Sequence, residues 1–154
     1  MRAIRAAAAV VGLFLVSSAF AQTATDELEA ARGQIQADRK AIVAKLMTLT
    51  DGEGAGFWPV YNEYREATRK VDDRLVKLMG DYDKESESMT DQRSQQMLSE
   101  WLTIMADKVA VKKSYLKKFS KALPSAKVIR YYQIENKMDA VIQYELAQGI
   151  PLVG

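Results

Sequence analysis

The chain has 154 residues, carries 22 Lys and Arg against 20 Asp and Glu, and contains neither cysteine nor histidine. That composition removes disulfides, thiolate nucleophiles and soft metal sites, together with the usual general base and the commonest metal ligand. A nearly balanced charge also argues against nucleic acid as a partner, because that affinity comes mainly from neutralising phosphates.

Residues 1–21 read as a secretory signal peptide. Arg2 and Arg5 precede an apolar run from Ala6 to Val16, and small residues close the segment at Ala19-Phe20-Ala21, so cleavage is expected after Ala21. The run is shorter than the roughly 20 residues that span a bilayer, and no transmembrane segment is expected after cleavage. Both leader arginines leave with it, so 22 less two gives 20 basic residues against 20 acidic ones in the remainder. Residues 22–154 are then expected to form a single all-helical domain, since no stretch alternates apolar and polar residues long enough for a strand.

The first helix is expected to start after Thr25, with Asp26 and Glu27 in its positive first turn, and to reach about Thr48. Its inner face would hold Leu28, Ala31, Ile35, Ile42, Leu46 and Leu49. Thr50-Asp51-Gly52-Glu53 fits a capping box for the second helix, in which the Thr hydroxyl and the Glu carboxylate each satisfy an orphan amide. The apolar positions that follow, Phe57, Tyr61, Tyr64, Thr68, Val71, Leu75, Leu78 and Tyr82, alternate spacings of four and three and make a heptad seam. Pro59 lacks the amide that would bond to Ala55 and crowds that carbonyl, so a start at Asp51 carries a bend near residues 55–59. Gly52, Gly54 and Gly56 each cost up to about 1 kcal/mol against Ala, which assigns Phe57 and Trp58 the task of holding this entry by packing.

Gly80 and the polar stretch Asp81 to Thr90 are expected to end the second helix, and Thr90-Asp91 to start the third. The seam expected there is Leu98, Leu102, Met105, Val109, Lys112, Leu116, Phe119 and Leu123. Two seams of equal length joined by a polar tip describe a long antiparallel central hairpin, with helices of roughly 30 residues spanning about 45 Å. Pro124 suits the opening of a fourth helix reaching about Gln148, with Gly149 placed to cap it and an apolar tail, Ile150 to Val153, beyond. On that helix Ile134, Met138 and Val141 would face a core, with Glu135 and Asp139 pairing to Arg39 or Lys40.

No catalytic, cofactor-binding or metal-ligating set emerges, and the chain does not read as an enzyme. A carboxylate-bridged metal site in a helical bundle calls for Glu-x-x-His motifs, and Asp72 and Asp73 diverge by roughly 100° on a helix. Glu63 and Glu66 lie among Arg65, Arg69 and Lys70 as a solvated face. The six methionines beyond the leader are scattered and read as core filling. Serine and threonine lack a partner base.

The more informative feature is a second apolar stripe on the third helix: Met97, Trp101, Ile104, Val111 and Tyr115, interrupted at Lys108. Trp58 is likewise displaced one residue from its own seam. Either the first and fourth helices cover this surface, or it is a dimer interface or a groove for other proteins. Lys108, Lys112, Lys113, Lys117, Lys118, Lys121, Lys127 and Arg130 form a tract with no acid among them, while the hairpin tip holds Asp81, Asp83, Glu85, Glu87 and Asp91. A basic surface beside apolar residues would attract acidic, partly unfolded chains. The candidate client or partner surface is therefore Trp58, Met97, Trp101, Ile104, Val111 and Tyr115 with Lys108 and Lys112.

An exported chain of four helices, with a long hairpin and a Leu-Thr helix start, resembles the Spy/CpxP (LTxxQ) family of periplasmic stress proteins. The motif copies are Leu49-Thr50-Asp51-Gly52-Glu53, with Glu in place of Gln, and Leu123-Pro124-Ser125-Ala126-Lys127, which keeps the Leu and the helix-start position. Phe57 to Tyr61 and Leu123 to Lys137 are also similar to a group of uncharacterised exported proteins of Gram-negative bacteria. The first resemblance implies a periplasmic, Spy-like homodimer that holds unfolded envelope proteins without ATP or takes part in envelope-stress sensing. The metal binding of His-bearing relatives is not implied for a chain without His. The alternative is a structural or regulatory adaptor whose stripe is consumed by one dedicated envelope partner.

Overall fold

In the computed structural model the described residues are 37–148 and Leu152. The expected cleavage site, the start of the first helix with Leu28, Ala31 and Ile35, and the Gly149 cap lie outside them. Backbone contacts divide the chain into Met1–Val43 and Ala44–Gly154. In the first unit residues 37–43 are helical, with Arg39 and Val43 buried. The helix continues to residue 47, and 37–47 is called α1 below.

The second unit is all helical along its described length: the end of α1, α2 (Asp51–Glu85), a 3-10 turn (Ser86–Ser88), α3 (Asp91–Ala122) and α4 (Ser125–Gln148). With α1 this makes four α-helices among the described residues, and α2 packs antiparallel against α3. Among the described residues no helix is long and apolar enough to cross a membrane.

Local chemistry accounts for the boundaries. Thr50 accepts from the Glu53 amide while Glu53 Oε2 accepts from the Thr50 amide at 2.9 Å, so the capping box is complete and α2 starts at Asp51. Pro59 sits inside the helix, where its missing amide is tolerated because Phe57 and Tyr61 on either side are buried. α2 runs past Gly80 and ends at Glu85, inside the polar stretch expected to end it. Tyr82 packs on the hairpin core, and Lys77–Asp81 and Arg93–Glu85 ion pairs brace the last turns, so one glycine does not end the helix. Thr90 caps α3 by accepting from the Arg93 amide. Pro124 immediately precedes α4, and its carbonyl accepts from the amides of Lys127 and Val128.

Two cores stack along the hairpin. Near the α2 start, Phe57, Tyr61 and Tyr64 meet Phe119 of α3 and Tyr131 of α4; the Phe119 and Tyr131 centroids are 4.7 Å apart, and Phe57 meets Tyr131 edge to face at 79°. Toward the tip the core turns aliphatic, with Val71, Leu78, Met97 and Ile104 buried and Leu75, Met105 and Val111 packed against them. The α2 seam is thus the expected one.

The α3 face is not. Ile104 is fully buried and Met97 nearly so, whereas Leu98, Leu102, Val109 and Leu116 are each at least half exposed. Met97, Ile104, Val111 and Tyr115 of the second stripe turn inward, with Trp101 left 45% exposed. Half of the expected seam, Leu98, Leu102, Val109 and Leu116, points outward, while Met105, Phe119 and Leu123 stay packed. The buried line passes Met97, Ile104, Lys108, Val111, Tyr115 and Phe119, advancing about 3.7 residues per turn, close to an undistorted helix. The Leu98 line keeps the 3.5-residue beat of a supercoil, which α3 does not follow. A similar offset of one residue recurs on α1, where Val43 and Met47 are buried and Ile42 and Leu46 are exposed. On α4, Val128, Tyr131, Ile134 and Glu135 are buried, Met138 is half-buried, and Val141 is exposed rather than in a core.

Candidate functional site: an apolar groove on the helical hairpin

Toward the hairpin tip the two long helices leave a groove of about 540 Å³. Leu75, Leu78, Met79 and Tyr82 of α2 form one side, and Met89, Met97, Leu98, Trp101 and Met105 form the other. The last turns of α4 contribute Gln143, Leu146 and Ala147. Leu78 and Met97 are the buried floor, and Trp101, 45% exposed, stands at the mouth. Of the polar lining groups, the Ser94 hydroxyl donates to the Thr90 carbonyl, which turns it toward its own helix.

Four methionines, 79, 89, 97 and 105, converge here from α2, the tip and α3. They are scattered along the sequence, and neither their spacing nor their separate elements point to one place. A thioether chain without branching adapts to irregular apolar shapes, so a groove lined this way can accept more than one sequence.

The eight residues expected to form the surface disperse. Met97 and Trp101 are in the groove. Ile104 is buried in the core and Val111 is half-buried against it. Tyr115 is half-buried against Tyr64, with its hydroxyl donating to the Glu63 carbonyl at 3.2 Å. Trp58 lies at the other end of α2, edge-on to Phe57 and Tyr61, and lines a shallow recess beside Leu49 and Pro59. Lys108 pairs with Asp72 at 2.8 Å and Lys112 with Asp139 at 2.8 Å.

Much of the basic tract is likewise engaged. Lys118 pairs with Glu63, a contact that raises the lysine pKa, Lys127 with Glu53, and Arg130 Nε donates to the Leu46 carbonyl. Glu135, 1% exposed, has Arg65 at 3.5 Å rather than standing on the surface. At the tip, Asp81 and Glu85 are held below the usual carboxylate range by their hydrogen bonds to Lys77 and Arg93. Asp83, Glu87 and Asp91 remain exposed. Among the described residues no group of three acidic side chains is placed to hold a metal ion.

The fold and groove define an all-α helical-hairpin protein with a methionine-lined lateral groove. No family model, curated protein or solved structure matches the chain.

Proposed function

We propose that the protein is a periplasmic, ATP-independent, chaperone-like binding protein of the Spy/CpxP kind, which holds apolar segments of unfolded or misassembled envelope proteins. The observation that carries this reading is the groove, an open apolar channel floored by Leu78 and Met97 and edged by Trp101. Its lining is almost wholly apolar, the character of surfaces that receive other chains, and methionine lets it receive differing side chains. The exposed line Leu98, Leu102, Val109 and Leu116 supports a homodimer, since it offers a continuous apolar strip along one helix.

The purified protein is expected to suppress aggregation of a chemically denatured model protein at a few-fold molar excess. Trp101→Gln should weaken suppression while leaving helicity by circular dichroism intact, because that side chain is at the mouth and not in the core. Unaltered client aggregation in the presence of excess protein rules the reading out.

A further inference from the structure

The groove is not electrically neutral in its setting. Its tip end is bounded by Tyr82 and Met89, and the segment Asp81–Asp91 around them contains five acids, Asp81, Asp83, Glu85, Glu87 and Asp91, against one base, Lys84. Two of the acids are occupied by Lys77 and Arg93, while Asp83, Glu87 and Asp91 stand exposed within two residues of a lining side chain. At the other end of the hairpin, Lys108, Lys112, Lys118 and Lys127 are taken up by Asp72, Asp139, Glu63 and Glu53. The unspent charge on the tip segment that bounds the channel is therefore net negative, Asp83, Glu87 and Asp91 against Lys84, the opposite of what the basic tract in the sequence suggests.

Building on the binding role above, we propose that the groove selects cationic amphipathic helices, taking their apolar face among Met79, Met97, Trp101 and Met105 while Asp83, Glu87 and Asp91 meet their lysines and arginines. Apart from Met89 in the tip turn its lining residues are helical, so the walls offer no strand edge at which an extended peptide could add by backbone pairing, and a helix laid into a groove is the mode that fits. Along α3 the lining extends from Ser94 to Met105, about 16 Å at 1.5 Å per residue, which accommodates roughly three turns of a helix. Exposed carboxylates at a rim act chiefly on encounter and on choice of partner, and salt screens them.

The test uses the purified protein and two fluorescent helical peptides of about 14 residues, sharing one Leu/Met face and carrying Lys or Glu on the other. Anisotropy at about 20 mM salt should show the Lys peptide binding about tenfold tighter, with the difference falling below about threefold near 500 mM. The double variant Asp83→Lys, Glu87→Lys should abolish that preference without loss of helicity, and Trp101→Gln should weaken both peptides. Equal binding, tighter binding of the Glu peptide, or a preference untouched by the double variant overturns the inference. Binding of neither peptide overturns it as well, and saturable uptake of a fatty acid in that case assigns the groove to acyl chains. Failure here with suppression of client aggregation retained sinks only the charge selection, whereas loss of both sinks the binding role itself.

Discussion

Lys127, in the first turn of α4, donates from Nζ to the Glu53 carboxylate that closes the capping box of α2. The same ammonium donates to the Thr48 carbonyl at 3.3 Å. The two helix starts that look like copies of one motif in the sequence are thus joined in space, one supplying the acid and the other the base.

The shared carboxylate makes this junction sensitive to acid. The hydrogen bond from Lys127, then that from the Thr50 amide, holds the Glu53 pKa below its ordinary value. A depressed folded pKa gives stability that is complete above the unfolded value and is lost as pH falls through the folded one. Glu66, Asp81 and Glu85 act in the same sense. Denaturant midpoints should therefore fall as pH drops through and below the carboxylate range, and Glu53→Gln should flatten that fall. Thr50→Ala should cost about 1 kcal/mol at neutral pH, measured by urea unfolding.

The rotation of α3 is checked by two substitutions of similar chemistry. Ile104→Ala opens a cavity in the α2–α3 core and should cost about 2–5 kcal/mol. Leu102→Ala, on the line exposed in the single chain, should change the stability of the monomer, measured at dilution, by no more than about 0.5 kcal/mol. The reverse order would restore the seam expected from the heptad spacing.

Two positions should gain stability for opposite reasons. Thr48 has φ 47°, in the left-handed region, just after the end of α1. A β-branched residue is strained there, so Thr48→Gly should stabilise by about 1 kcal/mol. Gly80 lies within α2, and a Cβ built on it meets nothing within 4 Å. Gly80→Ala should therefore add about 0.5–1 kcal/mol through helix propensity and reduced chain entropy. Thermal unfolding of the two single variants and their combination tests both, and the gains should add because the sites share no contact.

Tyr131 is fully buried, and its hydroxyl has no hydrogen-bond partner among the described residues. Burial, with the nearby Glu135 carboxylate, pushes its pKa far above the ordinary value, so the phenol stays neutral throughout the working range. Removing an unpaired buried hydroxyl removes a desolvation penalty. Tyr131→Phe should leave stability unchanged or raise it by up to about 1 kcal/mol, while Tyr131→Ala should cost about 3–5 kcal/mol through lost ring contacts. A substantial loss in the Phe variant would show that the hydroxyl has a partner.

What could be read along the chain was whatever depends on near neighbours. The all-helical class, the Thr50–Glu53 cap, the Thr90 start and the Phe57-to-Tyr82 seam follow from contacts within a few residues, and α2 has one dominant apolar face. What only the tertiary structure decided was choice among equals. The third helix carries two apolar stripes offset by one residue, and its own periodicity does not rank them. Packing of Ile104 against α2 and the seating of Lys108 on Asp72 select the inner one, and the two lines meet at Phe119, which packs on Tyr131. The groove was illegible for the same reason: Met79, Met97 and Leu146 belong to three helices, and methionine carries no local signal of where it points. Charge followed suit, because neutralisation depends on partners distant in sequence. Folding spends Lys108 and Lys112 on Asp72 and Asp139 and leaves Asp83, Glu87 and Asp91 exposed in the tip segment.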